Sequence, residues 1–132
     1  MADLTIDTAQ VALVEIIESE TLPVAGPINA GDAVRINATG KAEQASAAAS
    51  ATADVIGVAI TGSAAGTITV VRKGVVDLGA GALSGVAIDG VIYLSDTAGG
   101  LSDAPGTVST IVGTVIPAWG TDPADKLLRI DL

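Results

Sequence analysis

The groups able to do chemistry in this chain are carboxylates, hydroxyls, one tyrosine and six cations, because histidine and cysteine are both absent. Without histidine there is no ordinary general base, no usual activator of a nucleophile and no neutral imidazole metal ligand. Without cysteine there is no thiolate nucleophile, thiolate metal site or disulfide. Ser-His-Asp and Cys-His catalysis are therefore excluded. The acid pairs Asp122 with Asp125 and Asp96 with Asp103 have the residue type for glycoside hydrolysis. That chemistry also needs a cleft, usually walled by aromatic side chains, and Tyr93 and Trp119 are the only aromatics here. Asp96 to Asp103 (DTAGGLSD) is similarly short of a calcium loop, since the alternating acidic spacing and the terminal bidentate glutamate are missing. Turn capping is the expected role of these aspartates, and neither catalysis nor a cofactor or metal is expected.

Charge narrows the partners. Fifteen acidic residues face only Arg35, Lys41, Arg72, Lys73, Lys126 and Arg129, for a net charge of −9. Nucleic-acid binding is not expected, because phosphate affinity requires clustered Lys and Arg. The start, MADLTIDTAQ, has no basic stretch leading into an apolar core, and no run of about 18 apolar residues occurs, so synthesis in the cytoplasm and no membrane span are expected. Yet 49% of the chain is hydrophobic with 2% aromatic, and that Val, Ile, Leu and Ala content must enter a core or subunit interfaces.

The elements that would position these residues read as strands. Val- and Ile-rich runs bounded by Gly, Asn, Asp and Ser fall at Val11–Ile17, Asp32–Asn37, Val55–Ile60, Thr67–Val71, Val75–Leu78, Val86–Ile88, Val91–Leu94, Ile111–Ile116 and Lys126–Asp131. A mainly β protein follows, a small β-barrel or sandwich. The alanine-rich stretch Ala42–Ala53 supports either one short helix or a surface loop of small residues.

The chain also repeats. Asp32-Ala33-Val34 matches Asp89-Gly90-Val91, Ile56-Gly57-Val58 matches Val112-Gly113-Thr114, and Val70-Val71-Arg72 matches Leu127-Leu128-Arg129, at offsets of about 57, 56 and 57 residues. Two similar β units, residues 31–78 and 89–132, are expected within a single β domain, 31–132, with Ile56, Val58, Val112 and Val115 buried. Residues 1–30 precede both units and are interrupted by Pro23 and Pro27. Their apolar residues Leu4, Ile6, Val11, Leu13 and Ile17 suit an extended arm that docks on a neighbour, or a strand that completes its own sheet. Trp119, in a polar stretch between two strands, suits an interface anchor or a lid over the barrel end.

Several of these segments together carry a resemblance. Gly31-Asp32-Ala33-Val34-Arg35-Ile36, Asp54-Val55-Ile56-Gly57-Val58-Ala59, Arg72-Lys73-Gly74-Val75-Val76-Asp77-Leu78, Val91-Ile92-Tyr93-Leu94-Ser95-Asp96-Thr97 and Ile111-Val112-Gly113-Thr114-Val115 resemble tailed-phage capsid decoration (cement) proteins. The resemblance implies a homotrimer on the outer surface of the virion head that clamps neighbouring major capsid proteins, with no catalytic residues. Other virion parts, a tail, fibre or adhesin module, fit the same composition. From a different class, Lys41 beside Gly40 on a hairpin of a two-fold β protein brings to mind a lipoyl-type carrier domain, although its flanking residues do not match that motif.

Overall fold

Short runs of β-branched residues separated by glycine and asparagine turns pair with their sequence neighbours. In a computed structural model, which describes residues 3–6, 8, 11–79, 82, 83, 85–117 and 126–132, they form nine strands among the described residues. These are β1 (Ala12–Pro23), β2 (Ala33–Ile36), β3 (Ala42–Gln44), β4 (Gly57–Ala59), β5 (Thr67–Asp77), β6 (Val91–Leu94), β7 (Leu101–Ser102), β8 (Ile111–Pro117) and β9 (Lys126–Asp131). All pairings are antiparallel, in the order β3-β2-β4-β5-β9-β8-β6-β7, with β1 laid along β5. The protein is mainly β, a sheet curled into a half-barrel.

The strand order reads the same from either end once β2, β3, β4 and β5 are matched with β6, β7, β8 and β9. Hydrogen bonds outside the ladders repeat as well. Gly31 N–H donates to Ala59 O and Asp32 O accepts from Ala59 N–H; Asp89 N–H donates to Val115 O and Gly90 O accepts from Val115 N–H. Gly31 and Asp89 also share a positive φ, 94° and 67°, and Asp89 is the only non-glycine with one among the described residues. Aspartate tolerates that conformation because its short side chain bonds locally. A Cβ on Gly57 would overlap the carbonyl oxygen of Val71, and one on Gly113 would overlap that of Arg129. Val71 therefore corresponds to Arg129, one residue later than the letter match of Val70-Val71-Arg72 with Leu127-Leu128-Arg129, and Asp32 corresponds to Gly90 instead of Asp89. In a Val-rich chain the letters cannot distinguish adjacent registers. The pairing can.

Neighbouring strand residues face opposite sides, and corresponding strands of the two units turn opposite faces to the main core. In the first unit Ala33, Val58 and Val71 enter the main core, while Val34, Ala59 and Val70 enter a second cluster capped by Val24 and Ile28. The sheet here is buried on both faces. In the second unit Ile92, Val115 and Leu128 enter the main core, and Thr114 and Arg129, the counterparts of Val58 and Val71, point away from it. Val112 and Val58 are buried as expected, but Ile56 is only partly buried against the smaller cluster.

The two sheet ends meet through loops. Ala33 N–H donates to Gly99 O at 2.9 Å, Gly99 N–H to Ala45 O at 2.7 Å, Ala47 N–H to Ser95 O at 2.8 Å and Val108 N–H to Ala47 O at 2.8 Å. This lacing explains Ala42–Ala53, which is not a free loop and whose helical part is a single short 3-10 turn. It begins as β3, ends in one 3-10 turn at Ser50–Thr52, and buries Ala42, Ala45, Ala47 and Ala53. Alanine serves here as a side chain small enough for two backbones to approach. Two further strand expectations differ. Thr67–Val71 and Val75–Leu78 are one strand through Gly74, since β1 pairs along its whole length, and Val86–Ile88 forms bends and turns with Val86 in the core.

Candidate protein-interaction site

The residues before the first unit belong to this subunit's own sheet. Ala12 to Pro23 pair with Asp77 to Thr67, and ahead of them Asp3 bridges Ser102 and Leu4 N–H donates to Leu101 O at 2.9 Å. The two expectations for this segment thus resolve, within the chain, to a strand that completes its sheet. Leu4, Ile6 and Leu13 pack partly buried against the main core, and Ile6 and Val11 lie over Gly31. Buried Ser95 adds a polar tie, donating from Oγ to Asp3 Oδ1 at 2.6 Å.

The middle of β1 behaves differently. Val14, Ile16 and Ile17 are 51%, 49% and 69% exposed. Register shifts fall between Leu13 and Glu15 and between Ile16 and Glu18, so Val14 and Ile17 are each an extra residue with no partner on β5. A bulge of this kind re-aims a side chain and bends an edge strand. The opposite edge of β1 has no partner strand among the described residues. Of the five apolar interface candidates in this segment, Ile17 alone is largely exposed, and Val14 and Ile16, which pattern reading passed over, join it. The signal that could have found them is the unbroken run Val14-Glu15-Ile16-Ile17, which fits no strict alternation.

Charge frames the apolar run. Arg72 Nη1 lies 3.2 Å from Glu18 and 3.3 Å from Glu20, tying β1 to β5, and Lys73 lies 3.5 Å from Asp131. A groove of about 320 Å³ is lined by Glu15, Ile17, Lys73, Gly74, Val75, Arg129, Ile130 and Asp131. A second, of about 210 Å³, shares Arg129 and Asp131 and reaches Ile111, which is 56% exposed.

The other candidates fall elsewhere. Trp119, like Asp122 and Asp125, lies outside the described residues. Lys41 is exposed beside the β2–β3 turn, which Asn37 Oδ1 holds by accepting from Thr39 N–H at 3.0 Å and Lys41 N–H at 3.1 Å. Asp96 accepts from the N–H and hydroxyl of Thr107, each at 2.8 Å, and those bonds hold its carboxyl below the usual carboxylate range. Burial pushes the Asp32 carboxyl up, against the pull of hydrogen bonds from Asn29 N–H at 2.9 Å and Gln44 at 2.8 Å. Both aspartates fix turns, as capping residues do. Among the described residues no group of three or more acids gathers as a metal site, and no helix is long and apolar enough to cross a membrane. No protein-family model, curated protein or solved structure matches this chain.

Proposed function

We propose that this chain is a structural virion protein, a capsid decoration protein that binds the outer surface of a phage head and bridges neighbouring major capsid proteins. The observation that carries the reading is the exposed apolar run Val14, Ile16 and Ile17 on β1, whose outer edge has no partner strand among the described residues. Three exposed apolar side chains within four residues of one strand are unusual unless another surface covers them. The motif resemblance supplies the kind of surface, and the acidic balance of −9 suits basic ground on a shell and keeps the module off a packaged genome.

The test is to mix the purified chain with undecorated heads, separate particles by sedimentation and image the shell. Saturable, periodic density on the head exterior is expected, and Val14→Asp with Ile16→Asp should abolish it while leaving the fold intact. Recovery of the chain on tails only, or no binding to heads by the folded protein, would refute the proposal. Intact mass measured on protein from its native source separates the carrier alternative, which requires an adduct on Lys41.

A further inference from the structure

The duplication leaves two equivalent sheet ends, and the chain covers them with different segments. Ala42 in β3 lies opposite Ile36, and Leu101 in β7 lies opposite Leu94. Because Asp32 corresponds to Gly90, Ile36 corresponds to Leu94 and Ala42 to Leu101. Ala25 N–H donates to Ala42 O at 2.8 Å, and Leu4 N–H donates to Leu101 O at 2.9 Å. The first cover lies just ahead of its own unit, beside buried Val24, and the second comes from the far end of the chain. Ala82, Leu83 and Val86, which stand just ahead of the second unit, are turned into the main core instead.

The β7 end needs an occupant. Leu101 and Ser95 are buried, and Asp3 Oδ1 accepts from Ser95 Oγ at 2.6 Å. With the segment gone, that buried hydroxyl loses its acceptor and β7 presents a bare strand edge, both of which are costly. Yet the occupant's hold is slight. Asp3 bridges Ser102, Leu4 supplies one N–H, and Leu4 and Ile6 are only partly buried at the core margin, whereas β1 is paired with β5 from Ala12 to Pro23. Withdrawing Asp3–Ile6 breaks few contacts, and the same residues from another copy restore each of them while β1 stays in place.

We propose that Asp3–Ile6 is exchanged between copies of the chain, each subunit's segment filling the β7 edge of the next. The site is then incomplete without its neighbour. Contacts at the edge are equal in number either way, so the balance is tipped by what else the copies bury as they meet, and Ile36, Ile88 and Ile111 are 40%, 43% and 56% exposed in the single subunit. Ile6 and Val11 both lie over Gly31, where an added Cβ would stand 2.9 Å and 3.3 Å from them. Val11 follows Ile6 by five residues, a reach of roughly 17 Å when extended, so exchanging copies meet near Gly31. Exchange in one direction closes into a ring or runs on as an open chain. A ring of three agrees with the homotrimer that the resemblance implies. The exchange concerns the free protein and is independent of binding to heads.

The chain has no cysteine, so Asp3→Cys with Ser102→Cys reports which copy fills the edge, residues bridged in this way being close enough for a disulfide. Folding is checked by the thermal transition, and the oxidised protein is run on a denaturing gel without reductant. Covalent species ending at three copies are expected. A second reading comes from Asp3→Cys chains refolded together with Ser102→Cys chains, since neither forms this bond within itself. Covalent pairs containing one of each are expected from the mixture and not from either variant alone. A folded double variant whose disulfide closes within single chains overturns the exchange, as does a mixture that gives no mixed pairs or an unaltered chain that sediments as a monomer at micromolar concentration. A covalent series that stops at two copies, or runs past three, overturns the ring of three.

Discussion

Gly57 and Gly113 offer a matched pair of perturbations. A methyl group on Gly57 meets the Val71 carbonyl and lies 2.6 Å from Val70 Cγ1; on Gly113 it meets the Arg129 carbonyl and lies 2.9 Å from Leu128 Cδ1. The side chains could turn aside, but the carbonyls are fixed in the β4–β5 and β8–β9 ladders, so relief requires the strands to shift. Overpacking a well-packed site costs about 1–3 kcal/mol, and obstruction by backbone belongs at the upper end. Gly57→Ala and Gly113→Ala should therefore each cost about 3 kcal/mol, which lowers Tm by roughly 10 °C for a domain of this size. Gly26 has nothing within 4 Å of an added Cβ, so Gly26→Ala should stay within about 0.5 kcal/mol of the unaltered chain or be slightly stabilising. Urea unfolding followed by circular dichroism, with m held constant, measures all three. If either core glycine accepts alanine as easily as Gly26, or the two differ by more than about 2 kcal/mol, the argument that they hold equivalent places in two copies of one unit is wrong.

Two further outcomes follow from the same packing. Deleting residues 1–22 strips β5 of its long partner strand and removes Leu4, Ile6, Leu13 and Leu22 from the core margins, so the chain should lose its cooperative transition and aggregate on size-exclusion chromatography; a truncated chain that melts normally would show β1 to be dispensable. Burial gives Asp32 a folded-state pKa above its unfolded value, so its contribution to stability grows as pH falls through that raised value and is complete below the unfolded one, near 4. Stability of the unaltered chain minus that of Asp32→Asn should accordingly rise between pH 7 and pH 4 in paired urea titrations, and a flat or falling difference would contradict the burial.

Much of the architecture is legible in the sequence, for reasons that are local. A strand needs β-branched residues over a few positions and a turn needs glycine, asparagine or aspartate at one, so the class of fold and most strands could be read directly, Val91–Leu94 and Lys126–Asp131 to the residue. The duplication was legible too, because Gly57 and Gly113 stand where a following strand leaves no room for a side chain, and such a constraint forces the same letter into both copies. The lack of histidine and cysteine limits the available chemistry whatever the fold.

Tertiary structure decided the rest. Whether Val11 to Ile17 leaves the subunit or lies on it depends on an open edge of β5, and no local pattern reports an edge that sequence-distant strands leave vacant. The alanine stretch takes its form from Ser95, Gly99 and Val108, which supply its hydrogen bonds from far along the chain. Alignment within the repeat turned on one residue, and a single step in register moves every side chain to the opposite face. Val58 and Val71 lie in the core while their counterparts Thr114 and Arg129 face outward, and Arg129 shares a row with Glu15 from the other end of the sequence. Composition makes the chain a β protein with apolar surface to cover. Only the pairing of β5 with β1 on one side and β9 on the other determines where that surface lies.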